Sequence, residues 1–307
     1  MPFPFPHLLD SFLHVYQRED LSSWEHEPTA HPPIYGVYHV YCAKGWERLV
    51  DQQLSNLRQS GLLNATSKLY VSIITQKSTD IDKFLKIADS DKVAIIASHQ
   101  DPRRYEHPAL EYLYEVAKRE DCLLYYFHTK GLSYQALDTH DRLFRSFQRK
   151  IEAWREMLEY FTFCKWQVAV NVLTSGYDTY GCYQWPPRKY TMFAGNFWWV
   201  TSNYVRRLPA FDEQVIANDR FYSEVWLYQL PSSQRHTFSA FETIADLYFV
   251  RMPRSLYVKK RPRVSDHLAF ILTYNWRKFL KHVFGYNYKY RCQRRYQELK
   301  ETTQTSR

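Results

Sequence analysis

Apolar residues along this chain follow two alternating patterns, and their order predicts an α/β domain. The run Ile34 to Tyr41 is short, aromatic and β-branched, as a buried strand is, and it follows a Pro-punctuated lead-in ending at His31-Pro32-Pro33. Trp46 to Leu57 then sets Trp46, Leu49, Val50, Leu54 and Leu57 near helical spacing and stops at Ser60-Gly61, where a glycine ends a helix without a Cβ penalty. The alternation continues with Leu69 to Thr75 as strand, Asp80 to Ala88 as helix, Val93 to Ser98 as strand, Ala109 to Lys118 as helix and Cys122 to Phe127 as strand. Strands separated by helical stretches of this length need crossover connections, so a mostly parallel, Rossmann-type central sheet with helices on both faces is expected.

The second half departs from simple alternation. Thr139 to Phe163 reads as one long helix, with Leu143, Phe144, Phe147, Ile151, Trp154, Leu158 and Phe161 on one face and Arg or Lys on the other. Gly176 to Pro187 is turn-rich, Phe193 to Thr201 reads as an aromatic strand, Tyr204 to Leu208 begins a helix and Arg220 to Tyr228 reads as another. No internal repeat or low-complexity stretch interrupts this order.

Charge then separates the end of the chain from the rest. The net +9 is uneven: residues 251–307 hold 15 Lys or Arg against 3 Asp or Glu, a net +12, which leaves residues 1–250 at −3. The expected organisation is a lead-in over 1–33, a main domain over 34–250 and a basic, aromatic, helical tail over 251–307. A chain of 307 residues with 45% hydrophobic content can bury one large core of that kind. Five cysteines, at 42, 122, 164, 182 and 292, form no Cys-x-x-Cys pair, so neither a zinc site nor a disulfide framework is indicated and a reducing compartment fits. The first residues lack the basic and apolar regions of a secretory signal, and nowhere do eighteen apolar residues run together, so the expectation is a cytoplasmic protein without a spanning helix.

In open α/β sheets ligands bind beyond the carboxyl ends of the strands. His39, Tyr41 and Lys44 lie at the end of the first strand, and Cys122 to Phe127 runs straight into His128-Thr129-Lys130-Gly131. A lysine supplies a compact charge for a phosphate, Thr129 and Gly131 expose backbone donors, and His128 can donate a proton or a hydrogen bond. The set suits a diphosphate. It is not a P-loop, because the glycine spacing before the lysine is absent, and a decorated surface loop is the rival reading.

Gly195-Asn196-Phe197-Trp198-Trp199 offers rings that stack on a sugar and an amide that bonds its hydroxyls, although two adjacent strand tryptophans face opposite ways and core packing explains either alone. Glu224, amid Tyr222, Val225 and Trp226, is a candidate general base, since apolar surroundings raise a carboxyl pKa toward the working range. Asp178, in a Gly-bounded loop, is a second candidate carboxylate that turn formation explains equally well.

Taken in order, Tyr126-Phe127-His128-Thr129-Lys130-Gly131, Trp154-Arg155-Glu156-Met157, Tyr177-Asp178-Thr179-Tyr180-Gly181-Cys182, Gly195 to Trp199 with Tyr204 and Leu208, and Glu224-Val225-Trp226 resemble a group of microbial and algal-virus glycosyltransferase-like proteins with a GT-A type nucleotide-sugar fold. The resemblance spans roughly residues 34 to 230. It implies a nucleotide-sugar half over 34–131 and an acceptor half over 132–250. His39, Tyr41, His128, Thr129, Lys130 and Gly131 would then hold the donor, and Asn196, Trp198 and Trp199 the acceptor, a glycan, polysaccharide or glycolipid. Glu224, with Asp178 as understudy, would act as base in an inverting transfer.

Many GT-A enzymes hold Mn2+ or Mg2+ on the diphosphate with an Asp-x-Asp pair at a central strand end; here His128-Thr129-Lys130 stands at that place. Asp80-Ile81-Asp82 and Asp89-Ser90-Asp91 have the spacing but flank the short second helix, as surface or capping carboxylates do. A second departure is Met192, where similar proteins carry a histidine.

The tail interleaves cations with rings, from Tyr257, Lys259, Lys260 and Arg261 to Trp276, Phe279 and Tyr290. Such a helix either lies on an anionic membrane surface or packs its aromatic face on the domain. Two rival readings remain. A nucleic-acid-binding basic module explains the tail but not the acidic body, and a non-catalytic sugar-binding relic of the same fold is suggested by Met192 and the missing metal pair.

Overall fold

The alternation read from the sequence is realised in the first half of the chain. The structure is a computed structural model that describes residues 13–137, 139–211, 215, 219 and 221–305. In chain order the strands are β1 Tyr16–Arg18, β2 Ile34–Tyr41, β3 Lys68–Ile74, β4 Val93–His99, β5 Leu123–His128, β6 Thr179–Gly181, β7 Gln184–Trp185, β8 Met192–Phe193, β9 Trp198–Thr201, β10 Thr237–Ser239 and β11 Phe241–Thr243. The helices used below are α1 Trp46–Gln59, α2 Thr79–Ala88, α3 His107–Arg119, α4 Arg142–Glu159, α5 Trp166–Thr174, α6 Ser202–Arg207, α7 Tyr222–Val225, α8 Val264–Phe284 and α9 Tyr288–Thr305.

Seven strands form the central sheet in the order β10-β6-β9-β5-β2-β3-β4. Every neighbouring pair is parallel except those made by β9, which runs antiparallel to both β5 and β6. The chain moves outward from β2 through β3 to β4, and α3 then carries it back to β5 on the other side of β2. The order therefore reverses between β2 and β5, and in an open α/β sheet the crevice at that reversal is where ligands bind.

Alternation along the strands fills both faces of this sheet. Val37, Tyr126, Trp198 and Val200 pack in one buried cluster with Leu110 and Leu113 of α3. On the opposite face Tyr38 stacks on Phe127 at 4.1 Å between centroids, and its hydroxyl donates to Gln53 of α1 at 2.8 Å. Gly36 sits where no side chain fits, because a Cβ there would strike the Tyr125 ring, whose hydroxyl lies 3.0 Å from Thr66 Oγ1.

The chain divides into two compact units, one of residues 19–132 and 158–240 holding the sheet, the other of the residues up to Arg18, 133–157 and 241 onward. The division expected at 33/34 and 250/251 is thus displaced. Its cause is the apolar face of α4: Phe144, Phe147 and Ile151 form a buried cluster with Phe249 and Cys292, so residues on either side of position 251 cover one helix together. In the same unit β1 pairs antiparallel with β11.

Two other expectations are corrected. Phe193 to Thr201 is not one strand: β8 pairs with β7, β9 begins only at Trp198, and between them Gly195 (φ 83°) and Asn196 (φ 57°) take left-handed backbone that an extended chain cannot contain. Arg220 to Tyr228 is a short α-helix, α7, followed by a 3-10 turn over Trp226–Tyr228, and Arg220 lies outside the described residues.

Candidate functional site

A buried polar cluster occupies the carboxyl ends of β2 and β5, where the strand order reverses. His39 and His128 are register partners on these parallel strands, so their imidazoles leave the same face of the sheet side by side. That face is the one α3 covers, and the residue at the N-cap of α3 is Glu106. Helix N-termini favour negative charge, and the Glu106 carboxylate reaches His128, with Oε1 2.7 Å from Nδ1. Its Oε2 accepts from Asn196 Nδ2, while Asn196 Oδ1 accepts from Trp198 Nε1 at 2.7 Å. His128 Nε2 lies 3.1 Å from the Gly195 carbonyl.

This chain of bonds fixes the proton inventory. Both ring nitrogens of His128 face oxygen acceptors, a carboxylate and a carbonyl, an arrangement in which the imidazolium form satisfies both bonds. Burial alone would raise the Glu106 pKa, but the His128 charge and hydrogen bond, with the Lys130 charge, reverse this and hold it down at about 2. His39 is held neutral, its pKa lowered to about 4 by burial, and its Nδ1 is buried without a hydrogen-bond partner among the described residues. Tyr126, whose hydroxyl is also buried, has its pKa pushed well above the ordinary range by burial and by the Glu106 charge. Lys130 is buried as well and attracts Glu106. Glu106 with His128 and Lys130, and the Glu224 carboxylate at the edge, makes a charged, largely buried cluster at the strand ends.

The backbone at this site is strained where the cluster needs it. The left-handed pair Gly195 and Asn196 is what points one carbonyl at His128 and one amide at Glu106. Tyr105, immediately before Glu106, has φ 43°, unusual for a bulky residue and the kind of conformation that collects at functional sites. Gly131, at φ 80°, turns the chain out of the cluster into a short helix over Leu132–Gln135.

Of the residues singled out from the sequence, His39, His128, Lys130 and Asn196 come together here. Asn196 binds Glu106 and Trp198, and it is a positioning residue in this arrangement. Thr129 ties the two strands: its N–H donates to the His39 carbonyl at 3.1 Å, and its Oγ1 accepts from Tyr41 N at 3.0 Å. Tyr41 itself is exposed at the end of β2. Glu224 is half-buried at the edge of the cluster, near enough for its charge to help raise the Tyr126 pKa, and the neighbouring Ser223 carbonyl accepts from Asn196 Nδ2 at 3.5 Å.

Other expected residues lie elsewhere. Trp198 and Trp199 are core: both rings are buried, Trp198 packing against Tyr126 and Trp199 against Tyr125, and the Trp199 N–H is taken by the Thr162 carbonyl at 2.9 Å. No face of either ring is left for an acceptor. Asp178 belongs to the opposite end of the sheet. Its carbonyl accepts from Thr201 N, and Thr201 pairs with Leu123 at the start of β5, about 17 Å of strand away from His128. Its carboxylate binds Arg207 at 2.6 Å and the His236 N–H at 2.8 Å, so its role there is structural. Met192 lies in β8 opposite Trp185.

Glu106 was not singled out from the sequence. Its signal was there, since Glu106-His107-Pro108 is a helix start with proline in the first turn, but an acidic residue at that place reads as a cap.

The cluster does not fit a divalent ion. Both oxygens of Glu106 and both nitrogens of His128 already have protein partners, and among the described residues no group of three His, Cys, Asp or Glu side chains could hold a metal. The Asp-x-Asp segments offer no alternative: Asp80 is buried, accepting from Thr75 Oγ1 at 2.6 Å, and Asp89 forms the left-handed end of α2. No family model matches the chain, and no curated protein matches it.

Proposed function

We propose that the chain is a glycosyltransferase on a GT-A type fold, moving a sugar from a nucleotide-sugar donor to a hydroxyl of a glycan, polysaccharide or glycolipid with inversion. The observation that carries this reading is the buried His39-Glu106-His128-Lys130 cluster at the point where the sheet order reverses. An anionic diphosphate is the ligand such a place suits. His39 Nδ1, the buried ring nitrogen without a partner, and the exposed Tyr41 two residues beyond it are the groups best placed to meet the donor. His128 acts through its charge, because both its ring nitrogens bond within the protein, and Lys130 adds its charge beside Glu106.

In the transfer the acceptor oxygen forms a bond to the anomeric carbon as the bond from that carbon to the diphosphate oxygen breaks. The leaving diphosphate takes the electron pair, and the His128 and Lys130 cations meet the charge that develops there. Glu224 takes the acceptor proton; Asp178 has no part in this. A thermal-shift panel of UDP, GDP and CMP sugars, with and without Mn2+, tests the reading, because a ligand that binds only the native state raises its apparent stability. Stabilisation by one nucleotide-sugar class, together with its hydrolysis or transfer, is expected; indifference to all of them removes the proposal.

A second reading has one observation in its favour. The saturation of Glu106 and His128 by protein partners suits a non-catalytic, sugar-binding protein of the same fold, for which the panel would give stabilisation without any turnover.

A further inference from the structure

Helix α8 is apolar on two opposite faces, and only one of them is covered. Phe270 and Ile271 are buried, with Tyr16 edge-on to Phe270 at 5.6 Å and the Tyr16 hydroxyl 2.8 Å from His267 Nδ1. On the other side Leu268, Leu272, Trp276, Phe279 and Val283 recur at spacings of three and four residues and form one stripe. All five are exposed, Trp276 and Val283 at 58% and Phe279 at 46%. Trp276 stacks on Phe279 at 5.6 Å and Phe279 meets Phe284 edge-on at 5.9 Å, so the C-terminal half of the helix presents a continuous aromatic surface. Gly285 (φ 65°) ends the helix, with Tyr286 N–H returning to the Leu280 carbonyl at 3.1 Å.

Cations stand at the start of this stripe. Lys259, Lys260, Arg261 and Arg263 are exposed just before α8, whereas Lys278 and Lys281 lie in line with Ile271 and Phe270, away from the stripe. The segment they belong to carries the net +12 of the chain. Among the described residues no helix is long and apolar enough to cross a membrane.

We propose that the exposed face of α8 docks on an anionic lipid surface, with Trp276, Phe279 and Val283 entering the headgroup boundary and Lys259, Lys260, Arg261 and Arg263, just before the helix, meeting lipid phosphates and carboxylates. Charge selects this occupant. A second copy would bring one +12 segment against another, and a single-stranded nucleic acid would leave Leu268, Leu272 and Val283 without apolar cover. The proposal rests on α8 and its flanks and is independent of the transferase reading.

The test is flotation of the full chain with phosphatidylcholine vesicles and with vesicles in which phosphatidylserine replaces part of that lipid. Binding to the anionic vesicles and much weaker binding to the neutral ones is expected. The double variant Trp276→Ser/Phe279→Ser is expected to lose about tenfold or more in affinity. Lys259→Gln/Lys260→Gln is expected to lose roughly fivefold per lysine, with an unchanged circular dichroism spectrum in both cases because all four side chains are exposed. If the aromatic variant fails to fold, the lysine variant decides alone. Three results overturn the proposal: equal binding to both vesicle types or to neither; a salt-sensitive complex with a single-stranded oligonucleotide at concentrations where vesicles do not bind; or self-association that the aromatic variant abolishes.

Discussion

Replacing Glu106 tests whether the cluster is an ion pair or an ordinary set of hydrogen bonds. In Glu106→Ala the His128 Nδ1–H and the Asn196 amide lose their shared acceptor inside the protein. Removing one partner of a buried pair costs about 3–5 kcal/mol, because the surviving charge is left uncompensated. Glu106→Gln is milder for a specific reason. Its amide oxygen can still accept from Asn196, and its NH2 can donate to Nδ1 provided His128 gives up that proton and keeps Nε2–H on the Gly195 carbonyl. What disappears is the charge-assisted part of the bonding, about 1–2 kcal/mol. At roughly 2–4 °C per kcal/mol for a unit of this size, the Ala variant should melt roughly 6–20 °C below wild type and the Gln variant roughly 2–8 °C below. Thermal melts at neutral pH give the order wild type, Gln, Ala, and 15N NMR of the His128 ring should show two protonated nitrogens in wild type and one in Glu106→Gln. A Gln variant that melts with wild type and leaves both His128 nitrogens protonated would refute the pairing, as would an Ala variant no worse than Gln.

Further outcomes follow from the same geometry. His39 has a folded pKa of about 4 against an ordinary 6.5, so between these values the unfolded chain binds a proton that the folded one refuses. Stability is therefore lost as pH falls from 6.5 to 4, by about 3 kcal/mol at most from this group, and His107, also at about 4, adds in the same sense. Urea midpoints across that range should fall less steeply in His39→Asn than in wild type, and equal slopes would contradict a buried neutral His39. Gly36→Ala drives a methyl into the Tyr125 ring and should cost about 1–3 kcal/mol, read as a lower melting temperature; an unchanged one would mean that β2 and β5 are not so closely paired. Asp178→Asn should leave nucleotide-sugar binding and transfer at wild-type levels, whereas Glu224→Gln should abolish transfer while retaining donor stabilisation; the opposite pattern in a transfer assay would reverse their assignment.

What the sequence disclosed and what it hid divide along a physical line. Strands β2 to β5 and helices α1 to α3 were legible almost to their ends, because each is an amphipathic or fully buried segment whose periodicity is set locally. Phe193 to Thr201 misled because its aromatics have strand propensity, while the break at Gly195-Asn196 depends on two residues taking left-handed backbone, which the pattern of apolar positions does not encode. The same break hid the purpose of Asn196: read on a straight strand it is a polar group for a ligand, and turned by φ 57° it is the residue that holds Glu106. Glu106 was invisible for the converse reason. It lies twenty-two residues before His128, and its importance comes only from the crossover that lays the start of α3 over the ends of β2 and β5. A carboxylate at a helix N-cap is ordinary until the strand order beneath it reverses, and that reversal is a property of the whole βα pathway. The charge of His128 depends on the same pathway, since the first of its acceptors is carried by α3 and the second by the turn into β9.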